Sequence, residues 1–227
     1  MAGKLIVFEG VEGGGKSSQI QHLQAWLQTH SGFCALQTQG EISQVLLTRE
    51  PGGTDLGQTL RALLLDAAQG GVMHDRTELL LYAADRAQHV AESLQPALAE
   101  GCWILCDRFV DSTLAYQGYG RGLSLDLIQQ LNRIATGGLQ ADLTLWLKLD
   151  VRLGLQRSQR RGALDRMEQA DLAFHQRVQA GFEALAQMQP ERMIAVNAEA
   201  TEAEVAHQIQ RIVESQLAAW YPSLPVS

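Results

Sequence analysis

Gly10-Val11-Glu12-Gly13-Gly14-Gly15-Lys16-Ser17 decides how this chain is read, because it fits the phosphate-binding pattern G-x-x-x-x-G-K-[ST] at every fixed position. The flanks agree. Leu5-Ile6-Val7-Phe8 is a short apolar run of strand type that ends where the glycines begin. After Lys16 the apolar residues Ile20, Leu23, Trp26 and Leu27 follow helical spacing. Strand, glycine-rich loop and helix start together form a nest of backbone N–H groups aimed at one anion, reinforced by the helix dipole. The loop from Gly10 to Ser18 is therefore the candidate nucleotide site. Lys16 would reach the β- and γ-phosphates, and the Ser17 hydroxyl would ligate Mg²⁺. A glycine-rich turn that binds nothing is the alternative, and the strand–helix context speaks against it.

The 227 residues suit one α/β domain with a sizeable core, here residues 1–219 with a tail at 220–227. A formal net charge of −7 argues against nucleic acid as the main partner, so an anionic substrate needs a local basic cluster. Only Lys4, Lys16 and Lys148 among the 18 basic side chains are lysines; the rest are arginines, which suits bidentate recognition of phosphate. No charged leader precedes an apolar run, and no segment approaches a membrane span, so a soluble, cytoplasmic protein without membrane contact is expected. Cys34, Cys102 and Cys106 lack metal-ligand spacing and read as reduced thiols, the last two on one buried strand face.

Strands are expected near 4–9, 45–49, 102–107, 142–149 and 192–196, with helices near 16–30, 56–66, 75–99, 124–136, 151–160, 169–188 and 201–219. Apolar strands alternating with helices predict a five-stranded parallel sheet covered on both faces. Thr201-Glu202-Ala203-Glu204 is a capping box at the start of the last helix. Gln37 to Gln44 reads as a loop, and Tyr221-Pro222-Ser223-Leu224-Pro225 as a fraying end.

A second constellation closes the strand Trp103-Ile104-Leu105-Cys106, which ends in Asp107-Arg108-Phe109. Ligands of a doubly wound sheet bind at the carboxyl ends of strands, which brings this pair beside the phosphate loop. Asp107 can hold Mg²⁺ directly or through water, and Arg108 can grip a phosphate with two N–H groups. A structural Asp–Arg pair is the other reading. Thr48-Arg49-Glu50-Pro51-Gly52-Gly53-Thr54 closes another strand and adds Arg49, which suggests an acceptor carrying its own phosphate.

Taken together, the phosphate loop, T-R-E-P-G-G-T, D-R-F, S-T-L-A-Y-Q-G and a late arginine-rich segment resemble the bacterial thymidylate kinase family, from about residue 3 to about residue 214. The resemblance implies a P-loop kinase fold with a short lid at about 154–168, ATP and Mg²⁺ as cofactors, and a homodimer. It implies transfer of the ATP γ-phosphoryl group to dTMP, giving dTDP and ADP. Arg49 and Arg108 would grip the dTMP phosphate, Tyr82 would stack on thymine, and Arg86 would hydrogen-bond the base. Thr113 and Gln117 would line the base pocket, with Pro51 near the base methyl group. Tyr116 would pack where a ribose 2′-OH would clash, and Glu12 would lie near the sugar 3′-OH and the metal. The lid would supply the transition-state cation from Arg157, Arg161 or Arg166, since Gly13 and Gly14 cannot.

The chain departs from the family at Tyr82, where Phe is usual, at Phe109, and at Gln159, where an alternating lid would place arginine. Tyr82 could instead be a core aromatic, Arg86 a salt-bridge partner, and the lid arginines a solvated face. Another nucleotide kinase of the same fold is the competing enzyme. A nucleotide-gated switch is disfavoured, because no N-K-x-D segment is present.

Overall fold

The computed structural model describes residues 3–66, 73–162 and 165–222, with Arg161 described in its backbone only. Five strands carry the fold: β1 Lys4–Glu9, β2 Val45–Arg49, β3 Trp103–Asp107, β4 Leu143–Lys148 and β5 Met193–Asn197. All four pairings are parallel, in the order β2-β3-β1-β4-β5. The expected α/β architecture is what forms. Side chains alternate across β1, so Ile6 and Phe8 join one apolar cluster while Leu5 and Val7 join another on the opposite face. Cys102 and Cys106 are buried together in that second cluster, and all three cysteines are free thiols.

The helices are α1 Lys16–Leu27, α2 Ser31–Thr38, α3 Asp55–Leu65, α4 Asp75–His89, α5 Gln95–Ala99, α6 Val110–Thr113, α7 Leu125–Thr136, α8 Val151–Arg161, α9 Leu172–Met188 and α10 Glu202–Trp220. Local chemistry sets several starts. Asp150 caps α8, Asp171 caps α9, and Thr201 with Glu204 forms the expected capping box on α10.

Five expectations need correction. The first helix stops at Leu27, and His30 Nδ1 accepts the Phe33 N–H to start α2, whose Phe33 and Leu36 are buried. Gln37 and Thr38 are therefore helical, and the loop is confined to 39–44. The helix expected over 75–99 contains a π-helical segment, Val90–Leu94, just before Pro96, which has no N–H to continue the regular ladder. Residues 110–120 carried no helical expectation, yet α6 runs into a second π-helical segment, Leu114–Gly120. At the C-terminus α10 includes Trp220, and Tyr221 does not fray. Its ring is buried, and its hydroxyl accepts the Trp103 indole N–H at 3.2 Å. The rest of the expected fraying end, 223–227, lies outside the described residues.

Strand order places the site. The chain leaves β1 for the edge strand β2, returns through β3, and only then crosses to β4 and β5. Neighbouring connections diverge at the carboxyl end of β1, which opens a crevice there. Register puts Phe8 opposite Asp107, and Asp107 opposite Arg49. No helix of the described residues is long and apolar enough to cross a membrane.

Candidate active site

The phosphate loop is a backbone structure before it is a chemical one. Gly13 and Gly15 sit at φ 69° and 84°, in the left-handed region that glycine adopts without strain. Gly13 also packs backbone to backbone on Gly154 of α8. A Cβ on Gly13 would meet the Gly154 carbonyl, and one on Gly154 would meet the Glu12 carbonyl. Gly154 was not singled out from sequence, where an isolated glycine in a helical pattern carries no label of its contact.

This loop opens on a cavity of about 410 Å³. Glu12, Gly13, Gly14, Gly15, Lys16, Ser17 and Ser18 line one end, and Arg49, Pro51, Tyr82, Arg86, Asp107, Arg108, Thr113, Tyr116 and Gln117 line much of the rest. Gly10 and Val11 stand behind the wall, where the carbonyls of both accept from Lys16 Nζ at 3.1 and 3.0 Å. Burial, reinforced by the neighbouring Arg108 cation, lowers the Lys16 ammonium to about 8. Ser17 Oγ donates to Asp107 Oδ2 at 3.2 Å, while Asp107 Oδ1 is buried without a hydrogen-bond partner.

Arg108 is the described non-glycine residue with positive φ, at 72°. Its own N–H donates to the Phe8 carbonyl at 3.0 Å, which ties this turn to β1. The guanidinium then donates to Gly10 O at 3.1 Å, Ser112 Oγ at 3.2 Å and Glu12 Oε1 at 2.9 Å, and lies over the Tyr116 ring. Tyr116 Oη lies 2.7 Å from both Glu12 oxygens. Burial alone would raise the Glu12 carboxyl; Arg108 and Lys16 outweigh it and hold the group below its ordinary range. Burial and the Glu12 charge push the Tyr116 phenol well up, so it stays a donor. Behind this cluster lies Glu9, fully buried, which accepts from the Phe109 and Ser112 N–H groups and from Ser112 Oγ.

Arg86 is 2% exposed and held on four sides. It donates to Glu50 Oε2 at 2.8 Å, Thr113 Oγ1 at 2.9 Å, Asn132 Oδ1 at 2.7 Å and the Phe109 carbonyl at 3.1 Å. Guanidinium has five N–H groups, which leaves one for a ligand in the cavity. Glu50 is itself fixed by His89 Nδ1 at 3.0 Å, and His89 Nε2 meets Thr48 Oγ1 at 2.7 Å. Gly53 is required beneath this pair, since a Cβ there would lie 2.5 Å from the His89 ring. Tyr82 is half-buried against the cavity, and burial pushes its phenol up. Gln117 Nε2 donates to Glu78 Oε1 at 2.8 Å.

Two lid arginines, Arg157 and Arg166, are engaged away from the cavity. Arg157 donates to the Ala198 carbonyl at 3.2 Å and does not line the cavity. Arg166 turns away from the cavity: its Nε donates to Leu64 O at 2.7 Å, and its NH1 lies 2.7 Å from Glu78 Oε2. In this arrangement the Arg166 guanidinium is paired with a buried carboxylate rather than with the cavity. The Arg161 side chain lies outside the described residues. Asp165, Met167 and Glu168, on either side of Arg166, line the cavity, as does Arg61, which donates to the Pro51 carbonyl at 3.0 Å. These four were missed. Arg61 and Glu168 lie in segments already read as helix and lid, but nothing local shows which way they face.

Comparison with known proteins agrees with this geometry. The thymidylate kinase family model matches residues 8–209. A thymidylate kinase of Cyanothece sp. is 58% identical, with 99% of each chain covered. One of Trichodesmium erythraeum is 52% identical over 97% of this chain and 99% of its own. The crystal structure of thymidylate kinase from Ehrlichia chaffeensis superposes with a TM-score of 0.72 at 30% identity, covering 94% of this chain and 99% of that one. From the phosphate loop to the second arginine cluster, the chain belongs to the thymidylate kinase family.

Proposed function

We propose that this enzyme transfers the γ-phosphoryl group of ATP to dTMP, giving dTDP and ADP. The observation that carries the reading is a phosphate loop opening on a second arginine pair, Arg49 and Arg108, in a cavity walled by Pro51, Tyr82 and Tyr116. One end suits a nucleoside triphosphate and the other a nucleotide that brings its own phosphate. The acceptor oxygen belongs to a phosphate whose second pKa is about 6, so it is already ionised near neutrality and no general base is required. What the protein must supply is alignment and cations.

Lys16 would hold the transferring phosphates, and Arg108, preset by Glu12 and Gly10 O, would hold the acceptor phosphate together with Arg49. The one N–H of Arg86 left uncommitted would read the pyrimidine edge. Tyr116, locked by Glu12 and by edge contacts with Phe174 and Phe182, would leave no room for a ribose 2′-OH. Ser17 and the open Asp107 Oδ1 suit Mg²⁺, a hard cation that takes oxygen donors. When bound, the ion would neutralise charge on the triphosphate. With Arg166 engaged by Glu78, the lid cation is assigned to Arg157 and Arg161, of which Arg157 would have to leave the Ala198 carbonyl to reach the phosphates.

Leu56, Leu63, Leu80, Leu127 and Ile134 leave α3, α4 and α7 with exposed apolar side chains, Ile134 at 78%. α4 packs beside both α3 and α7, and a surface of this kind supports a homodimer.

The deciding experiment is ADP formation with ATP and a panel of dTMP, dUMP, UMP, CMP, AMP and thymidine. dTMP should give the highest kcat/KM. A rate with dTMP no greater than the acceptor-free control would end the proposal.

A further inference from the structure

Glu78 is a fully buried carboxylate that touches neither the phosphate loop nor the arginines of the acceptor phosphate. A charge taken out of water persists only where partners replace its hydration. Here four N–H contacts do so. Oε1 accepts from Gln117 Nε2 at 2.8 Å and Arg121 Nε at 3.3 Å; Oε2 meets Arg121 NH2 at 3.1 Å and Arg166 NH1 at 2.7 Å. Burial would raise this carboxyl, and the Arg121 and Gln117 hydrogen bonds outweigh it and hold it low. The partners come from two separate parts of the chain: the π-helical segment 114–120 with Arg121 at its end, and the lid.

The two ends of this cluster face different ways. Gln117 lines the cavity. Arg166 does not; with its N–H on Leu65 O at 3.1 Å and its Nε on Leu64 O, it pins lid residues 165–168 across the end of α3. Asp165, Met167 and Glu168 are thereby presented to the cavity. Glu78 also lies one turn before Tyr82, on the same face of α4. We propose that Glu78 is a positioning residue that joins the base wall of the acceptor cavity to the seat of the lid, orienting Gln117 with one oxygen and latching Arg166 with the other. The proposal rests on the cavity being the dTMP site.

Neutralising Glu78 leaves two guanidinium groups sharing no counter-charge. Arg121 retains the Phe174 ring, 4.6 Å from its centroid, and Asp75 at 3.6 Å. Among the described residues Arg166 NH1 has no such second anchor and NH2 is buried without a hydrogen-bond partner, which leaves the guanidinium held by its Nε on Leu64 O alone. Arg166 is the group less firmly held, so the lid seat and the Gln117 amide loosen together while α8 stays packed on the phosphate loop through Gly154. The loss falls on the acceptor and spares the donor.

The test is steady-state kinetics of Glu78→Gln with each substrate varied in turn. Loss of a charge-assisted pair should raise KM for dTMP about tenfold or more and leave KM for ATP within about threefold. Arg166→Gln should reproduce that split from the other end, and Arg166→Lys, which keeps the charge, should recover most of it. The double variant should be no worse than Glu78→Gln alone, because both remove one link. A merely structural role would lower the amount of active protein and leave both KM values unchanged, and that result overturns the proposal. If Glu78→Gln does not fold, the Arg166 pair decides, since that side chain is 20% exposed. Wild-type enzyme inactive on dTMP would refute the function; active wild type with unchanged KM in the variants would refute the latch alone.

Discussion

Gly154→Ala should separate stability from activity. Gly154 lies in the first turn of α8, where alanine would favour the helix by about 1 kcal/mol. The added Cβ, however, would collide with the Glu12 carbonyl and lie 3.4 Å from Val11 Cγ2. The carbonyl belongs to the phosphate loop, whose backbone cannot rotate away as a flexible side chain could. Overpacking of this kind costs roughly 1–3 kcal/mol, so the net change is between about zero and 2 kcal/mol of destabilisation. For a chain of this length that lowers the thermal midpoint by no more than about 8 °C. Restoring ordinary contact moves loop and helix apart by roughly 1 Å, and a displacement of that size at a phosphate-positioning element costs on the order of 100-fold in rate. Initial rates with ATP and dTMP, measured beside a thermal melt, read both effects. The variant should stay folded and lose at least tenfold in kcat/KM for ATP. A folded variant within threefold of wild type would show that the Gly13–Gly154 contact does not set the loop.

Lys16→Ala should fold normally and keep less than about a tenth of wild-type kcat, because a charge-assisted contact to the transferring phosphate is lost; a greater residual rate would remove Lys16 from the chemistry. Arg108→Ala should raise KM for dTMP more than KM for ATP, by about 1.5–3 kcal/mol in binding, and an unchanged KM for dTMP would return Arg108 to a structural role. Alanine at Arg157 and Arg161 together should lower kcat about 100-fold with KM nearly constant, whereas Arg166→Ala should act on KM; near-normal kcat in the double variant would leave Arg108 and the metal as the stabilising charge. Burial, then the Asp111 charge, raises the Glu9 carboxyl to about 7, and burial, then Glu50, raises Asp85 to about 6. Both bind more protons folded than unfolded, so stability falls as pH rises from about 5 to 7.5. Glu12 and Glu78, held low, change it in the opposite sense only in more acid solution. Melts across that range should show the fall, and Glu9→Gln should reduce it; a flat or rising wild-type midpoint would contradict the burial argument.

The phosphate loop was legible because its chemistry is local. A strand, four glycines and a helix start within a few residues fix both shape and ligand, and the structure adds only the angles. Asp107-Arg108 was legible for a topological reason, since a parallel sheet sends strand ends to one side. The helical stretch 110–120 was not, because it begins with α6, one turn long, and continues in π-helical register through Gly118 and Gly120. A Cβ on Gly120 would lie 2.7 Å from the Phe174 ring, so tertiary packing rather than propensity holds the segment. The pairing of Arg166 was not legible for a similar reason. Its company in sequence is other arginines and a turn, and only the fold shows that a buried carboxylate on α4 competes for it.

That competition recurs around the cavity and explains how an acidic protein can handle two polyanions. Arg108 is matched by Glu12, Arg86 by Glu50, and Arg166 by Glu78. Each carboxylate weakens the attraction of its arginine for phosphate, which is a cost in affinity. Each also fixes a long side chain that would otherwise lose rotamer freedom on binding, a loss of up to about 2 kcal/mol per residue. Arg86 and Glu50 are both 2% exposed, so neither can relax toward water when the ligand leaves. The arrangement trades ground-state attraction for preorganisation, and preorganised charge is what a transition state rewards over a bound substrate. Arg49 lies at an exposed strand end opposite Asp107, and on the proposed function it would meet the incoming phosphate first, with Arg108 aligning it.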